Sequence, residues 1–402
     1  MSQAVAVSRP ARSSVAFGVL GSISLCHMLN DTMQSLLLAI YPLLKQGFAL
    51  NFAQIGLITL TYQTTASLLQ PVIGWLTDRR PQPYALPFAM VCSLGGLLVL
   101  SAAGTYPLLL AGAALLGTGS SIFHPESSRI ARTASAGRLG LGQSLFQVGG
   151  NFGTALGPLL AAFIVLPNGR GSLSWFAAAA LCGAGILTGV ARWYSPHARA
   201  RAAARRPAGP GGISRRRAGW ALAILIVLIF SKYFYLASIN SYYLFYLIHH
   251  FHLRMEEAQL YLFVFLAAAA AGVVIGGPVG DRFGRKYVIW GSIVGVLPFT
   301  LALPYAGLAW TVALTVAIGL ILSSAFSAIV VYATELMPAR VGLMSGLFFG
   351  LAFGVAGVGA AALGALADLT SIDTVYRVCA FLPALGLLAV FLPNLDRRQS
   401  AA

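Results

Sequence analysis

Gly277-Pro278-Val279-Gly280-Asp281-Arg282-Phe283-Gly284-Arg285-Lys286 closes one long apolar run, and Gly74-Trp75-Leu76-Thr77-Asp78-Arg79 closes another 203 residues earlier. Each stretch sets an Asp-Arg pair and a turn at the end of a run of about 20 apolar residues, the length of a bilayer-spanning helix. Repetition of this charged turn in two halves is the mark of an internally duplicated membrane protein, an arrangement used to build carriers around a central site.

Working outward from these turns, apolar runs delimit helices near 14–44, 51–77, 84–104, 107–133, 138–166 and 172–193. They resume near 218–250, 256–280, 286–304, 308–336, 341–367 and 374–393. The expected fold is an all-α membrane protein of twelve transmembrane helices in two pseudo-symmetric six-helix bundles, 14–193 and 218–393. A short tail, 1–13, precedes them; a basic linker, 194–217, joins them; a second tail, 394–402, follows. Composition agrees. Of 402 residues, 58% are hydrophobic and 9% charged, against about 25% charged in soluble domains, and the mean hydropathy is +0.81. A water-soluble globule is excluded. Twelve spans of this kind use roughly 250 residues and leave short loops.

The chain carries 26 Lys and Arg against 10 Asp and Glu, a net charge of +16. Alternate loops and both termini hold 21 of the basic residues, while the opposite loops hold only Lys45, Arg170, Arg254 and Arg377. That asymmetry puts both termini in the cytoplasm. The linker carries Arg199, Arg201, Arg205, Arg206, Arg215, Arg216 and Arg217. With no aromatic residues in its core to stack on bases, it reads as a disordered connector and not as a nucleic-acid site. Arg9 and Arg12 precede a first apolar run too long for a signal-peptide core, so that run stays as a helix. Cys26, Cys92, Cys182 and Cys379 lie in apolar stretches without metal-ligand spacing, so neither disulfides nor zinc are expected.

The pattern G-x-x-x-D-R-x-G-R-K after the second and eighth helices resembles the signature loop of the major facilitator superfamily. The second copy is complete; in the first, Arg80-Pro81-Gln82-Pro83 stands where Gly, Arg and Lys are expected, which interrupts any charge relay there. The fifth helix reads Gly153-Thr154-Ala155-Leu156-Gly157-Pro158-Leu159-Leu160-Ala161-Ala162, similar to the antiporter motif of drug:proton exchangers with Ala in place of the last two glycines. At finer grain, His27 to Ser35, Phe123 to Arg129, Ser144 to Asn151, Lys232 to Tyr235 and Ala333 to Pro338 resemble the fosmidomycin-resistance group. The resemblance implies a proton-coupled drug exporter of the bacterial inner membrane that needs no cofactor or metal. Its partners are a small-molecule substrate, protons and the lipid bilayer, with no nucleic acid, and it is expected to work as a monomer.

Ionisable residues at mid-membrane cost about 2.5–3.5 kcal/mol on insertion scales and are functional candidates by default. Asp31 lies mid-way along the first helix, with His27, Asn30 and Gln34 around it, and Lys232 sits about 21 Å into the seventh. An Asp31–Lys232 pair across the two halves would offset the burial of both charges; it serves either proton coupling or as a static lock. Glu126 and Arg129, three apart on the fourth helix, can pair on one face. Their depth near the cytoplasmic edge favours a gate, with proton coupling at Glu126 as the alternative. Lys232, as the recogniser of an anion, and His27, Asn30, Gln34, His124, Arg129, Gln147, Asn151, Tyr233 and Tyr235 are candidate substrate contacts, with the tyrosines read otherwise as cavity lining and an interface belt along with Tyr242, Tyr243 and Tyr246.

Motif resemblance implies that Asp78 and Asp281 each dock on a helix N-terminus of the opposite half, latching the inner gate in one of two conformations. Gly74, Arg79, Arg282, Gly284 and Arg285 belong to the same loops, and the second, whose motif is complete, is expected to matter more to gating than the first, which Pro81 and Pro83 interrupt. Glu335 looks like the counterpart of Glu126. Gly153, Gly157 and Pro158 on the fifth helix, and Gly346, Gly350 and Gly354 on the eleventh, are close-packing positions on faces expected to slide. Two functions fit: proton-coupled export of drugs, fosmidomycin-like phosphonates among them, or proton-linked uptake or exchange of a small anionic metabolite. An intramembrane hydrolase is excluded by the absence of H-E-x-x-H and G-x-S-x-G.

Overall fold

A computed structural model describes residues 14–40, 43–44, 47–50, 52–203 and 214–395. Apart from short connecting turns, the chain is helical over these residues. The first half comprises α1 (Phe17–Ala39), α2 (Phe52–Arg79), α3 (Ala85–Ala102), α4 (Tyr106–Ala134), α5 (Leu139–Leu160) and α6 (Ala177–Ala203). The second comprises α7 (Arg215–Phe251), α8 (Met255–Phe283), α9 (Arg285–Val294), α10 (Leu308–Ser323, continued as Ala325–Leu336), α11 (Val341–Leu369) and α12 (Ile372–Cys379). Short irregular turns extend several spans: a π turn at Ala161–Val165 after α5, and 3-10 turns at Arg170–Phe176 before α6 and Leu382–Phe391 after α12.

Among the described residues, nine helices are long and apolar enough to cross a membrane by length and composition. The other three of the twelve are α1, α2 and α5. They are long enough, but they hold His27, Asn30, Asp31 and Gln34, then Gln63 and Gln70, then Gln143, Gln147 and Asn151. These polar residues lower the hydropathy because α1 and α5 line the interior, where side chains need not face lipid. The outer helices read differently: Phe88 and Val91 of α3, Leu181 of α6, Trp290 of α9 and Val378 of α12 are exposed. Helices 3, 6, 9 and 12 thus present apolar side chains outward, with further exposed apolar residues on α2, α5 and α8.

Within the first half α1 packs on α5 and α2 on α4; within the second α7 packs on α11 and α8 on α10. The halves meet along two seams related by pseudo-symmetry, α2 against α11 and α5 against α8. The basic linker is narrower than 194–217. α6 runs on to Ala203, and α7 starts at Arg215 with Ser214 accepting from the Arg217 N–H as its N-cap. Arg205 and Arg206, Lys45 and the tails 1–13 and 396–402 lie outside the described residues.

Candidate functional site

A cavity of about 280 Å³ lies between the halves. Asp31 and His27 of α1, His124 of α4 and Gln147, Asn151 and Thr154 of α5 line one side. Lys232, Tyr233 and Asn240 of α7, Phe265 of α8, Phe326 of α10 and Phe349 of α11 line the other. A mostly apolar wall with a few convergent polar groups is the usual make-up of a small-molecule site.

On the α1 side, three polar groups converge. His27 Nε2 lies 3.2 Å from Asp31 Oδ2 and 3.2 Å from His124 Nε2, and His124 Nε2 lies 3.7 Å from Asp31 Oδ1. Each ring is held from its other nitrogen. His27 Nδ1 lies 2.8 Å from the Phe146 carbonyl and His124 Nδ1 lies 2.9 Å from that of Ser120. A carbonyl oxygen only accepts, so both Nδ1 atoms carry hydrogen and donate. Asn30 steadies the carboxylate, its Nδ2 donating to Asp31 Oδ1 at 3.1 Å while its own Oδ1 accepts from Ser93 at 3.2 Å. Gly150 of α5 faces this cluster, and a Cβ there would overlap the His27 ring.

Lys232 enters from the other half. Its side chain is 2% exposed, and its ammonium lies 5.5 Å from the ring centroids of both Tyr233 and Phe326. Among the described residues no carboxylate stands within ion-pairing distance of it. The expected Asp31–Lys232 pair is therefore not formed: both line the cavity, but Asp31 is engaged by the two histidines of its own half. Depth along a helix matched these residues; it did not say which neighbours fill the space between them.

Below the cavity, toward the Asp78 and Asp281 loops, a layer of rings crosses the molecule. Phe146 packs edge-on to Phe349 at 6.1 Å, Phe349 on Phe326 at 5.1 Å, and Phe326 on Tyr233 at 5.5 Å. Beneath it lie two latches. Asp78 accepts from the N–H groups of Gly342 (3.0 Å) and Leu343 (2.8 Å) at the start of α11. Asp281 accepts from those of Gly140 (2.8 Å) and Leu141 (2.9 Å) at the start of α5. Each carboxylate thus meets the positive end of a helix in the opposite half, worth about 0.3–1 kcal/mol and up to about 2 when partly buried. Backbones touch beside both. A Cβ on Gly74 would overlap the Gly342 carbonyl, and one on Gly277 would overlap that of Gly140.

Arginines knit each latch together. Arg129 donates through Nη1 to both oxygens of Glu126 (2.7 and 3.0 Å) and through Nη2 to Asp78 (2.8 Å) and Thr77 Oγ1 (3.0 Å). Arg285 donates to Asp281 at 3.0 Å and pairs with Glu335 at 3.2 Å. The relay expected to be interrupted in the first loop is complete, with α4 supplying the guanidinium that the loop lacks. Gly284, with φ 99°, turns the chain from α8 into α9 where a side chain would be strained.

Several expected roles change. Arg129 belongs to the latch and does not line the cavity; Glu126 is its buried partner there, which leaves Asp31 as the cavity carboxylate. Asn30 and Gln34 tie α1 to its neighbours, Gln34 accepting from the Tyr62 hydroxyl at 2.6 Å. Tyr235 is buried away from the cavity, as is Tyr243, whose hydroxyl bonds Thr315 at 3.1 Å. Tyr246 stacks on Tyr376 at 4.3 Å and Tyr242 donates to the Ala360 carbonyl at 2.6 Å, so these tyrosines cement α7 and do not form an interface belt. Arg79 and Arg282 sit outside the latches, over the rings of Trp75 and Phe283. Gly153 and Gly157 pack on α1 of their own half, which is not a sliding seam. Gly346 and Gly350 do meet α2 across the seam, whereas Gly354 faces open space. The side chain of Pro158 lies outside the described residues. Asn240, Phe265, Phe326 and Phe349 are cavity residues the sequence reading missed; Asn240 was detectable as a polar residue about two turns beyond Lys232 in an apolar helix.

Two pseudo-symmetric bundles, a cavity at their interface and reciprocal latches below it define a carrier that exposes its site to one side at a time. Residues 23–246 and 225–402 each match the Major Facilitator Superfamily model, and the chain belongs to that family of transporters; it is not an enzyme. It is 59% identical over 389 residues to the fosmidomycin resistance protein of Escherichia coli (strain K12), covering 97% of this chain and 96% of that one. It is 41% identical over 385 residues to an uncharacterized MFS-type transporter, YfnC, of Bacillus subtilis (strain 168), covering 95% and 94%. Among solved structures, the transporter FucP in the outward conformation matches with TM-score 0.72 at 16% identity, over 94% of this chain and 98% of that one. The human organic anion transporter MFSD10 matches with TM-score 0.72 at 17% identity, over 95% and 100%.

Proposed function

We propose that this multi-pass membrane transporter exports anionic drugs, fosmidomycin-like phosphonates among them, in exchange for protons by alternating access. The observation that carries this reading is the division of the cavity: a carboxylate flanked by two imidazoles on α1 and α4, and on α7 an ammonium with no carboxylate partner among the described residues. An anion is recognised by Lys232, with Gln147, Asn151 and Asn240 as polar contacts. Protons are held by the His27–Asp31–His124 cluster. His27 and His124, first read as substrate contacts, thereby become proton-site residues. The likeness to the Escherichia coli fosmidomycin resistance protein supports the substrate class.

The positive-inside distribution supports a cytoplasmic location for both termini and for the latches, in a bacterial inner membrane, with residues 14–193 and 218–393 as the two moving units. With the latches closed on that side, the structure then corresponds to a carrier shut toward the cytoplasm. One chain holds a whole cavity and both latches, which supports a functional monomer.

The test is transport in membrane vesicles by Lys232→Ala and Asp31→Asn. Lys232→Ala should abolish protection against an anionic drug while protein remains in the membrane; unchanged protection would make Lys232 structural. Asp31→Asn should retain substrate exchange and lose accumulation against a gradient, and full gradient-driven transport would remove Asp31 as the coupling site. One feature favours the second reading, proton-linked uptake. If Lys232 binds an anion, a proton added at Asp31 removes nearby negative charge and favours that anion, which is the sign of symport. Substrate added to acid-loaded everted vesicles separates the two: collapse of the gradient supports exchange, and its persistence overturns it.

A further inference from the structure

We propose that His27, His124 and Asp31 form a transition-metal site in the cavity wall, binding a divalent ion such as Zn²⁺ through two imidazole nitrogens and one carboxylate. The three ligand groups stand close to the required relation. The two Nε2 atoms are 3.2 Å apart, His27 Nε2 is 3.2 Å from Asp31 Oδ2 and His124 Nε2 is 3.7 Å from Asp31 Oδ1, and with one ligand atom from each residue all lie within 4.8 Å of one another. Metal–ligand bonds of about 2.0–2.1 Å in a tetrahedron separate the ligands by about 3.3 Å. A cation placed between these atoms reaches all three with little rearrangement.

The protonation pattern points the same way. Both Nδ1–H groups are committed to backbone carbonyls, at 2.8 and 2.9 Å. In the neutral rings Nε2 therefore presents a lone pair, and both lone pairs converge with a carboxylate that is itself an acceptor. Three acceptors facing one another repel unless a cation sits between them. Metal-bound histidines almost always have the other nitrogen donating to a carbonyl or carboxylate, which fixes the ring and raises its basicity. Asn30, donating to Asp31 at 3.1 Å, provides the same support for the third ligand. His27 and Asp31, four apart, share one face of α1, the spacing by which helices present paired metal ligands.

Three protein ligands leave a fourth position, as in open zinc sites that accept water or an exogenous group. Here that position faces the cavity, with Lys232 on the opposite wall. The ligand set is nitrogen and oxygen without thiolate, suited to Zn²⁺, Co²⁺ or Ni²⁺ and ill-suited to Cu(I). Binding at the site stands apart from the transport reading above. Inhibition of transport by the metal rests on that reading, since the ion occupies the groups assigned to the proton.

The experiment uses the full chain, purified and freed of any histidine tag, titrated with Co²⁺ and then Zn²⁺. The expected result is one Co²⁺ per chain with the visible bands of four-coordinate cobalt, bleached by one equivalent of Zn²⁺. His27→Gln and His124→Gln should each weaken binding by at least about tenfold. The exposed histidines His197, His249, His250 and His252 provide the control, because replacing all four by Ala should leave the signal intact. Absence of the bands in the wild type overturns the site, as does a signal that disappears with the exposed histidines. X-ray absorption on the zinc-loaded wild type needs no variant: a shell of two imidazoles plus oxygen supports the assignment, and a shell of three imidazoles overturns it. If the metal binds as described but leaves transport untouched, the site stands and the proton assignment falls.

Discussion

The two latches occupy equivalent places and are built differently. In the second, Asp281 and Arg285 come from one turn of the signature loop, and the pair keeps some access to solvent, with side-chain exposures of 17% and 7%. In the first, the loop supplies Asp78 only, and the arginine comes from α4, three residues after Glu126; exposures there fall to 7% for Asp78, 3% for Arg129 and 2% for Glu126. Losing the loop arginine has moved the charge network inward. A buried ion network is strongly destabilised when one member is removed, because its partners are left charged without compensation. A more open network relaxes into water. The incomplete motif therefore belongs to the more demanding latch, contrary to a ranking by motif completeness alone.

The largest expected effect follows from that contrast. Arg129→Met strands both Glu126 and Asp78 and should cost about 3–5 kcal/mol, seen as loss of membrane yield or a lower unfolding temperature in detergent. Arg285→Met should cost visibly less. Equal losses would mean that depth does not distinguish the two networks.

Next in size, Gly74→Ala places a methyl group against the Gly342 carbonyl and should prevent the gate from closing. A cysteine on the latch side should then label faster in this variant than in the parent. Gly277→Ala should behave alike, since the backbone contact with Gly140 is as close; a difference between the two would show that one seam yields.

A smaller effect is expected for the carboxylates. Asp78→Asn and Asp281→Asn each lose the charge at a helix N-terminus, about 0.3–2 kcal/mol of closed-state bias. Asp78→Asn should shift the population further, because Arg129 loses a partner as well. Labelling from the latch side measures the order, and the reverse order would return the weight to the complete motif. The smallest effect is expected for Gln82→Arg, which restores an arginine four residues after Asp78. Gln82 is exposed and Arg129 already serves the carboxylate, so stability and transport should stay within about 0.5 kcal/mol.

The twelve spans were legible because about 20 apolar residues between charged turns admit few other readings. The latches were legible through the repeated Asp, and their docking partners in the opposite half follow the resemblance. What local pattern could not supply was direction around the helix axis. Asp31 and Lys232 were matched by depth, yet His124, 97 residues from His27, occupies the place given to Lys232. Arg129 pairs with Glu126 as its spacing implies, but its bond to Asp78 spans 51 residues and depends on how α4 packs on α2. Tyr233 and Tyr235, two apart, point to different sides of α7, so only Tyr233 reaches the cavity.

The ring layer of Phe146, Phe326, Phe349 and Tyr233 bears on economy of a different kind. A carrier that holds a thousandfold gradient works against about 4.1 kcal/mol, and every slip of a proton through it dissipates part of that store. Protons travel along files of water, and water enters only where two or more polar partners hold it. Rings packed edge to face offer few. With an aromatic layer forming the cavity wall on the latch side, a breath of either latch should admit water no further than the rings. In the proposed exchange, leakage is limited by a layer continuous with the proton site, since Phe146 stacks on His27 at 4.1 Å and Phe349 lies 5.2 Å from His124.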